Sequence, residues 1–330
     1  MSHLQYQPFK TFLMDHQIPF MRDFGMIGKK EKVDYKTAIA LYGSYYRQFG
    51  RHMGEDMGDW VVMSEYRFLE SDRYTVFPNS KSVLDSILRS KLNLTDFEAL
   101  VPPAESFVVM MPQGYKTPSG VPLRSFLVQW ADVRKNSSEY TRVSELSQNP
   151  VDIQMGIGGV MLDVIMMDAN LQAIRMSCFA KDVLKAIESN DAEQDVFKLD
   201  EQVAGIKFDE EELKQTQAMI KLAVGLAVFD SAYDDFLIDG LPKGSKLKKV
   251  GEVGLNNSHV VGSNLKLPQS AGGSKSGHIR GFHMRQLKDE RYYRGEHAHK
   301  KVGSRCVPVS ESWVGDSIES HTTNESSISK

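Results

Sequence analysis

Between Glu210 and Phe229 apolar residues fall at positions 213, 219, 220, 223, 224, 226, 227 and 228, a spacing that covers every side of a helix over its later turns. A helix of that kind must be enclosed, so the chain has to supply other elements that surround it. Its first turn, Glu210-Glu211-Glu212, suits the positive end of the helix dipole. The chain is long enough, since 330 residues make one large or two modest domains and a 41% hydrophobic content is that of folded proteins rather than disordered or fibrous ones. No window reaches the roughly 18 uninterrupted apolar residues of a membrane span, and Met1-Ser2-His3-Leu4-Gln5 lacks the basic-then-apolar order of a secretion signal. A cytoplasmic location with Cys178 and Cys306 reduced is the expectation, and two cysteines without a Cys-x-x-Cys cannot build a disulfide scaffold or a four-thiolate zinc site.

The elements before that helix are mixed. Tyr35 to Phe49 reads as a helix with aromatic residues on more than one face, Ser82 to Arg89 as a second, and Thr95 to Leu100 as a third opened by a Thr95/Glu98 capping box. Ser106 to Met111 and Leu123 to Val133 pattern as two strands of a hairpin, with Pro112, Gly114, Pro118 and Gly120 in the turn region between them. Further strands are expected over Asp152 to Asp168, followed by a short helix over Phe179 to Glu188. Met155-Gly156-Ile157-Gly158-Gly159 has its third glycine in the wrong place for a dinucleotide turn, so a bulge or close packing is expected there. The sum is an α+β fold: a mixed helical and sheet body over 1–240, a flexible basic linker over 241–276, a small basic β-rich module over 277–316 and a disordered tail over 317–330.

Charge divides the chain at Leu241. From Asp191 to Gly240 there are thirteen acids and four bases, a net of −9, whereas Leu241 to Ser310 holds fourteen bases and four acids, a net of +10, with five of the nine histidines. A basic segment can bind polyanions through counterion release, or it can lie against the chain's own acidic stretch. Asp230, Asp234, Asp235 and Asp239 lack the Gly and Glu of a calcium loop, and no metal or cofactor is expected. Phosphate-loop, nucleophile-elbow and His-Glu-x-x-His signatures are absent.

The concentrated signal is His278-Ile279-Arg280-Gly281-Phe282-His283-Met284-Arg285, followed by Arg291-Tyr292-Tyr293-Arg294. Guanidinium groups grip phosphate oxygens while aromatic rings stack on unpaired bases, which suits single-stranded RNA better than a duplex groove. Arg280, Arg285, Arg291 and Arg294 are the expected phosphate contacts, with Phe282, Tyr292 and Tyr293 stacking. Three other readings compete. His278, His283, His297 and His299 with Cys306 could hold zinc, although the spacing matches no standard site. Arg291 and His297 have the Arg-x4-6-His spacing of HEPN ribonucleases, a motif that needs a helix, which Gly295 disfavours. The residues could also simply orient a small hairpin.

His278-Ile279-Arg280 with His283, then a turn-rich interval and an apolar strand ending Trp313-Val314-Gly315, resembles the C-terminal His-x-Arg-x-x-His element of a family of phage and mobile-element proteins that includes a type V-A anti-CRISPR protein. Ser106 to Pro112 with Leu123 to Val133 looks like that family's paired strands, and Met219 to Pro242 looks like its long apolar helix ending in an acidic turn. The resemblance implies action during translation: recognition of a nascent nuclease's N-terminal segment and loss of its messenger RNA. Only His278, Arg280 and His283 carry over, and Met284-Arg285 replaces the family's aromatic-rich continuation. The expected function is a phage- or mobile-element-encoded regulator or counter-defence protein that binds RNA or a ribosome–nascent-chain complex and lowers expression of a target. One alternative is a metal-independent ribonuclease with His278 and His283 as acid and base. The other is an inhibitor that binds a host or defence protein, with a purely structural C-terminal module.

Overall fold

β-Branched, aromatic and methionine side chains dominate the central strands on both sides, the pattern of a sheet covered on both faces. The computed structural model describes residues 13–23, 25–49, 57–132, 159–167, 173–188, 210–242, 257–261, 278–280, 283–309 and 312–314. The first eight strands are β1 (Tyr74–Pro78), β2 (Lys91–Asn93), β3 (Ser106–Val109), β4 (Phe126–Asp132), β5 (Val160–Met167), β6 (Ala173–Phe179), β7 (Leu237–Asp239) and β8 (Asn257–Val261). All but β2 form one seven-stranded sheet in the order β6-β5-β4-β3-β1-β8-β7. β3 to β6 are an antiparallel meander, β1 runs parallel to both β3 and β8, and β7 closes the edge antiparallel to β8.

Alternate residues serve two cores. Val76, Phe107, Val109, Val128 and Leu162 face one, Phe77, Val108, Leu127 and Ile165 the other. The second core is roofed by α1 (Ile18–Asp23), α2 (Tyr35–Phe49) and α3 (Met57–Glu70), so the helix expected over 35–49 forms in register. The first holds α4 (Lys81–Arg89), α5 (Ala180–Glu188) and α6 (Glu210–Ala232). From Gln215 to Phe229 every residue of α6 but Ala218 is buried, which is the enclosure its all-round apolar pattern demands. The helix lies against β5 and β6, with α4 and α5 beside it. It crosses α4 so closely that a Cβ on Gly225 would stand 2.3 Å from Ile87 Cγ2.

The expected α+β class holds, and so does the β3–β4 hairpin, registered Ser106 to Gln129 and Val109 to Phe126. The expected helix over 95–100 is a 3-10 turn, Phe97–Ala99, capped by Asp96 and not by Thr95: Asp96 Oδ1 accepts from Ala99 N at 3.1 Å. Thr95 is drawn away because its N–H donates at 3.1 Å to Gln286 Oε1, a partner 191 residues later. Residues 152–158 lie outside the described residues, while Gly159, at φ +139°, is a close approach, where a Cβ would meet Glu98 Oε1 at 3.1 Å. Asn257–Val261, within the segment read as a linker, forms β8, because Val260 and Val261 continue the buried sheet beside Phe77 and Pro78. The tail over 317–330 also lies outside the described residues.

The last four strands are β9 (His278–Arg280), β10 (His283–Gln286), β11 (Cys306–Val309) and β12 (Ser312–Val314). β9 pairs with β12, and β10 pairs with β11, both antiparallel. β10 also runs parallel to β2, setting Met284 opposite Leu92. Met284 and Cys306 sit in the same core as α6, and the Cys306 N–H donates at 3.1 Å to Ser231 Oγ on that helix. Among the described residues, no helix is long and apolar enough to cross a membrane.

Candidate nucleic-acid interface

The segment from Leu287 to Arg305 joins β10 to β11 and is fixed by hydrogen bonds rather than by a large core. Asp289 Oδ1 accepts from Arg291 N at 3.0 Å and so caps a 3-10 turn over Glu290–Tyr293. Gly295, at φ +58°, separates it from a second turn over Gly295–His297. Tyr293 is the hub: its hydroxyl donates to Leu287 O at 2.6 Å and accepts from Gly303 N at 2.8 Å and Arg305 N at 3.1 Å. Arg305 Nη1 donates to Tyr292 O at 2.7 Å, and Gln286 Nε2 donates to Gly303 O at 2.8 Å and Asp96 O at 2.6 Å. Gly303 carries φ +87°, and a Cβ there would press to 2.7 Å on Ala99 Cβ, so the segment is seated directly on the 97–99 turn.

This frame leaves Arg285, Lys288, Arg291, Arg294, Lys300 and Lys301 exposed, against Asp289, Glu290 and Glu296 as the acids of residues 283–309. Among the described residues no hydrogen bond or ion pair holds the side chains of Arg285, Lys288 or Arg294. Arg291 lies over Tyr292 with its guanidinium carbon 4.8 Å from the ring centroid, donates to the Tyr292 hydroxyl at 2.7 Å, and sits 3.6 Å from Asp289. Lys301 Nζ donates to Glu98 O at 2.9 Å. Lys288, Lys300 and Lys301 were not singled out by motif reasoning. Their only sequence signal is the net charge of the segment.

The predicted residues separate into groups. Arg285 on β10 and Arg291 and Arg294 in the segment after it are exposed, and Tyr292, against Arg291, is half-exposed. His278 and Arg280 lie on β9, whose side chains are outside the described residues, as is Phe282 altogether. Tyr293 is 7% exposed, and stacking on a base needs an open ring, so its place is inside the hairpin. His283 is likewise buried, at 6%. The HEPN spacing fails on geometry, since Arg291 and His297 belong to two short turns broken at Gly295 instead of one helix. Among the described residues no three His, Cys, Asp or Glu side chains converge as a metal site. Burial pushes the Cys306 thiol up to about 11, against the opposing hydrogen bond from Ser231.

Of the acids at the end of α6, Asp230 lies in its last turn and Asp239 on β7. Asp239 Oδ1 sits 2.9 Å from His259 Nδ1, and the His259 ring stacks on Tyr74 at 3.9 Å. Burial lowers the His259 pKa, opposed by Asp239, and raises that of Tyr74, helped by Asp230 and Asp239. Three separated strands or strand ends meet here, so no local sequence signal could have found the cluster. Burial raises the Asp230 carboxyl to about 6, with Lys300 pulling the other way. The folded state therefore binds this proton more tightly than the unfolded chain, and the stabilisation is full below the unfolded pKa near 3.8 and lost as pH rises through about 6. Asp230→Asn is expected to gain about 1–2 kcal/mol at pH 8 after allowance for solvent screening, and nothing at pH 3.5. Urea unfolding at the two pH values checks this.

No protein-family model matches the chain, and no curated protein matches it. Among solved structures, one titled "Crystal structure of AcrVA2" is similar at 12% identity and a TM-score of 0.34, covering 93% of this chain and 96% of that chain.

Proposed function

We propose that the protein binds single-stranded RNA through the outer side of its C-terminal hairpin, and that it serves as a phage- or mobile-element-encoded regulator or counter-defence protein lowering expression of a target. The observation that carries the RNA reading is the set of cations Arg285, Lys288, Arg291 and Arg294, exposed on a segment that the Tyr293 and Gln286 hydrogen bonds hold in shape. The Arg291 guanidinium, held against Tyr292 and Asp289, loses less freedom on taking a phosphate, and each phosphate contact made by these cations releases condensed counterions. Arg291, already over Tyr292, offers a planar cation on which an unpaired base can stack. Arg280 on β9 would extend the phosphate track.

The test is a triple substitution, Arg285→Ala, Arg291→Ala and Arg294→Ala, measured by fluorescence anisotropy on an unstructured oligoribonucleotide. Affinity is expected to fall at least tenfold, and the log–log salt slope to shrink by about 2, at roughly 0.7 per lost phosphate contact. Unchanged affinity, or affinity insensitive to salt, overturns the reading. Cleaved product ends in the same assay favour the ribonuclease alternative. Deleting residues 277–330 is not a clean test, because it removes Met284 and Cys306 from the core around α6. Crosslinking and sequencing of RNA from the host cytoplasm then tests the regulatory role: one or few coding transcripts, lost in the triple variant, are expected. Absence of RNA in both samples redirects the search to a protein partner, whether a defence protein or a nascent chain.

A further inference from the structure

The small sheet β11-β10-β2 has one face turned inward and one turned outward. Leu92, Met284 and Cys306 belong to the core around α6, so the residues that alternate with them point the other way. The strand register sets Lys91 beside His283 and Asn93 beside Arg285, and on the other side sets Arg285 beside Val307 and His283 beside Val309. These side chains share one face, although β2 and β10 lie roughly two hundred residues apart in sequence. Lys91, Asn93 and Arg285 are exposed, and Val307 and Val309 are half-buried. His283, 6% exposed, closes one end of the face. Among the described residues no hydrogen bond or ion pair holds the side chains of Lys91, Asn93 or Arg285.

The charge on this face has one sign. Lys91 and Arg285 stand on it, and none of the residues registered there is acidic. Side chains on one face of a strand recur about every 6–7 Å, and neighbouring strands lie about 5 Å apart, so Asn93 is next to both cations. Phosphate oxygens satisfy ammonium and guanidinium groups of this kind, and an open sheet face takes unpaired bases that a duplex would keep stacked inside. Val307 and Val309 add apolar area that a base can cover. Arg285 is also one of the exposed cations of the C-terminal hairpin, so the face is continuous with that surface.

We infer that the RNA-binding surface crosses from β10 onto β2, the bound strand passing over Asn93 so that Lys91 takes a phosphate. A strand of the body then completes a site that the basic composition of the C-terminal segment would place in that segment alone. This extension rests on the RNA reading of Arg285, Arg291 and Arg294, and it can fail while that reading stands. Full-length Lys91→Ala, Asn93→Lys and Lys30→Ala are compared with the parent and the triple arginine variant on the same oligoribonucleotide by fluorescence anisotropy, once urea unfolding shows each to be folded. Lys30, exposed between α1 and α2 on the layer over the other core, carries the same charge change away from the small sheet. Lys91→Ala is expected to weaken binding about threefold to fivefold at about 0.1 M salt and to shrink the log–log salt slope by about 0.7, the share of one phosphate contact. Asn93→Lys is expected to tighten binding by a similar factor and to steepen the slope, a gain that misfolding cannot imitate. Lys30→Ala should change neither. If the triple variant loses affinity while Lys91→Ala and Asn93→Lys both behave like Lys30→Ala, the extension onto β2 is overturned and the RNA reading stands. Unchanged affinity in every variant overturns both.

Discussion

Tyr293→Phe is expected to cost about 2–4 kcal/mol of stability, although it removes a single oxygen. The Tyr293 hydroxyl serves Leu287 O, Gly303 N and Arg305 N together, and its loss strands one acceptor and two donors in a buried site. Each stranded buried group costs roughly 1–3 kcal/mol, less whatever water can recover. The measurement is the urea midpoint at unchanged m-value. The neighbouring Tyr292→Phe, half-exposed and bonded to Arg291 alone through its hydroxyl, should stay within about 0.5 kcal/mol of the parent. The pair also separates shape from contact in RNA binding. Tyr293→Phe weakens affinity by loosening the segment that presents the arginines, with no change in its formal charge.

Gly225→Ala should be comparably damaging for the opposite reason. In an open helix the change would gain about 1 kcal/mol from helix propensity. Here the added methyl would stand 2.3 Å from Ile87 Cγ2, and Ile87 is itself fully buried on α4. Overpacking of that kind costs about 1–3 kcal/mol, so a net loss is expected by thermal or urea unfolding. Ile87→Ala alone should lose about 2–5 kcal/mol through the cavity it leaves. The double variant should be less damaged than the sum, because the new methyl enters the space that Ile87 vacates. Strict additivity would mean that α4 and α6 do not touch at these residues.

The enclosed helix was legible because its apolar residues cover all sides, a pattern that has only one physical solution. The β3–β4 hairpin was legible because β-branched runs flank a region rich in Pro and Gly. What escaped was non-local. β2 is three residues, Lys91-Leu92-Asn93, with a single buried side chain, and only its parallel partner at His283–Arg285 makes it a strand. β1 and β8 pair across some 180 residues, and neither sequence signals the other. Thr95 looks like a cap until Gln286 claims its N–H. At the candidate site the basic composition pointed to a stretch in which Arg285, Arg291 and Arg294 are exposed and Tyr292 half-exposed. It could not tell Tyr292 from Tyr293, two adjacent rings of which one is half-exposed and one is a buried hub. That difference is set by Leu287, Gly303 and Arg305, which lie six, ten and twelve residues away.

The parallel pairing of β10 with β2 bears on how the chain is made. β2 leaves the ribosome roughly two hundred residues before β11 completes the small sheet. α6 itself is complete about 75 residues before β11 ends, so at about 5–20 residues per second there is an interval of roughly 4–15 s in which it lacks the strands that finish its enclosure. A chain interrupted between Ala232 and Met284 would therefore present the side of that helix that Met284 and Cys306 cover. The enclosure of α6 is thus finished by residues made some fifty to seventy-five positions after the helix itself.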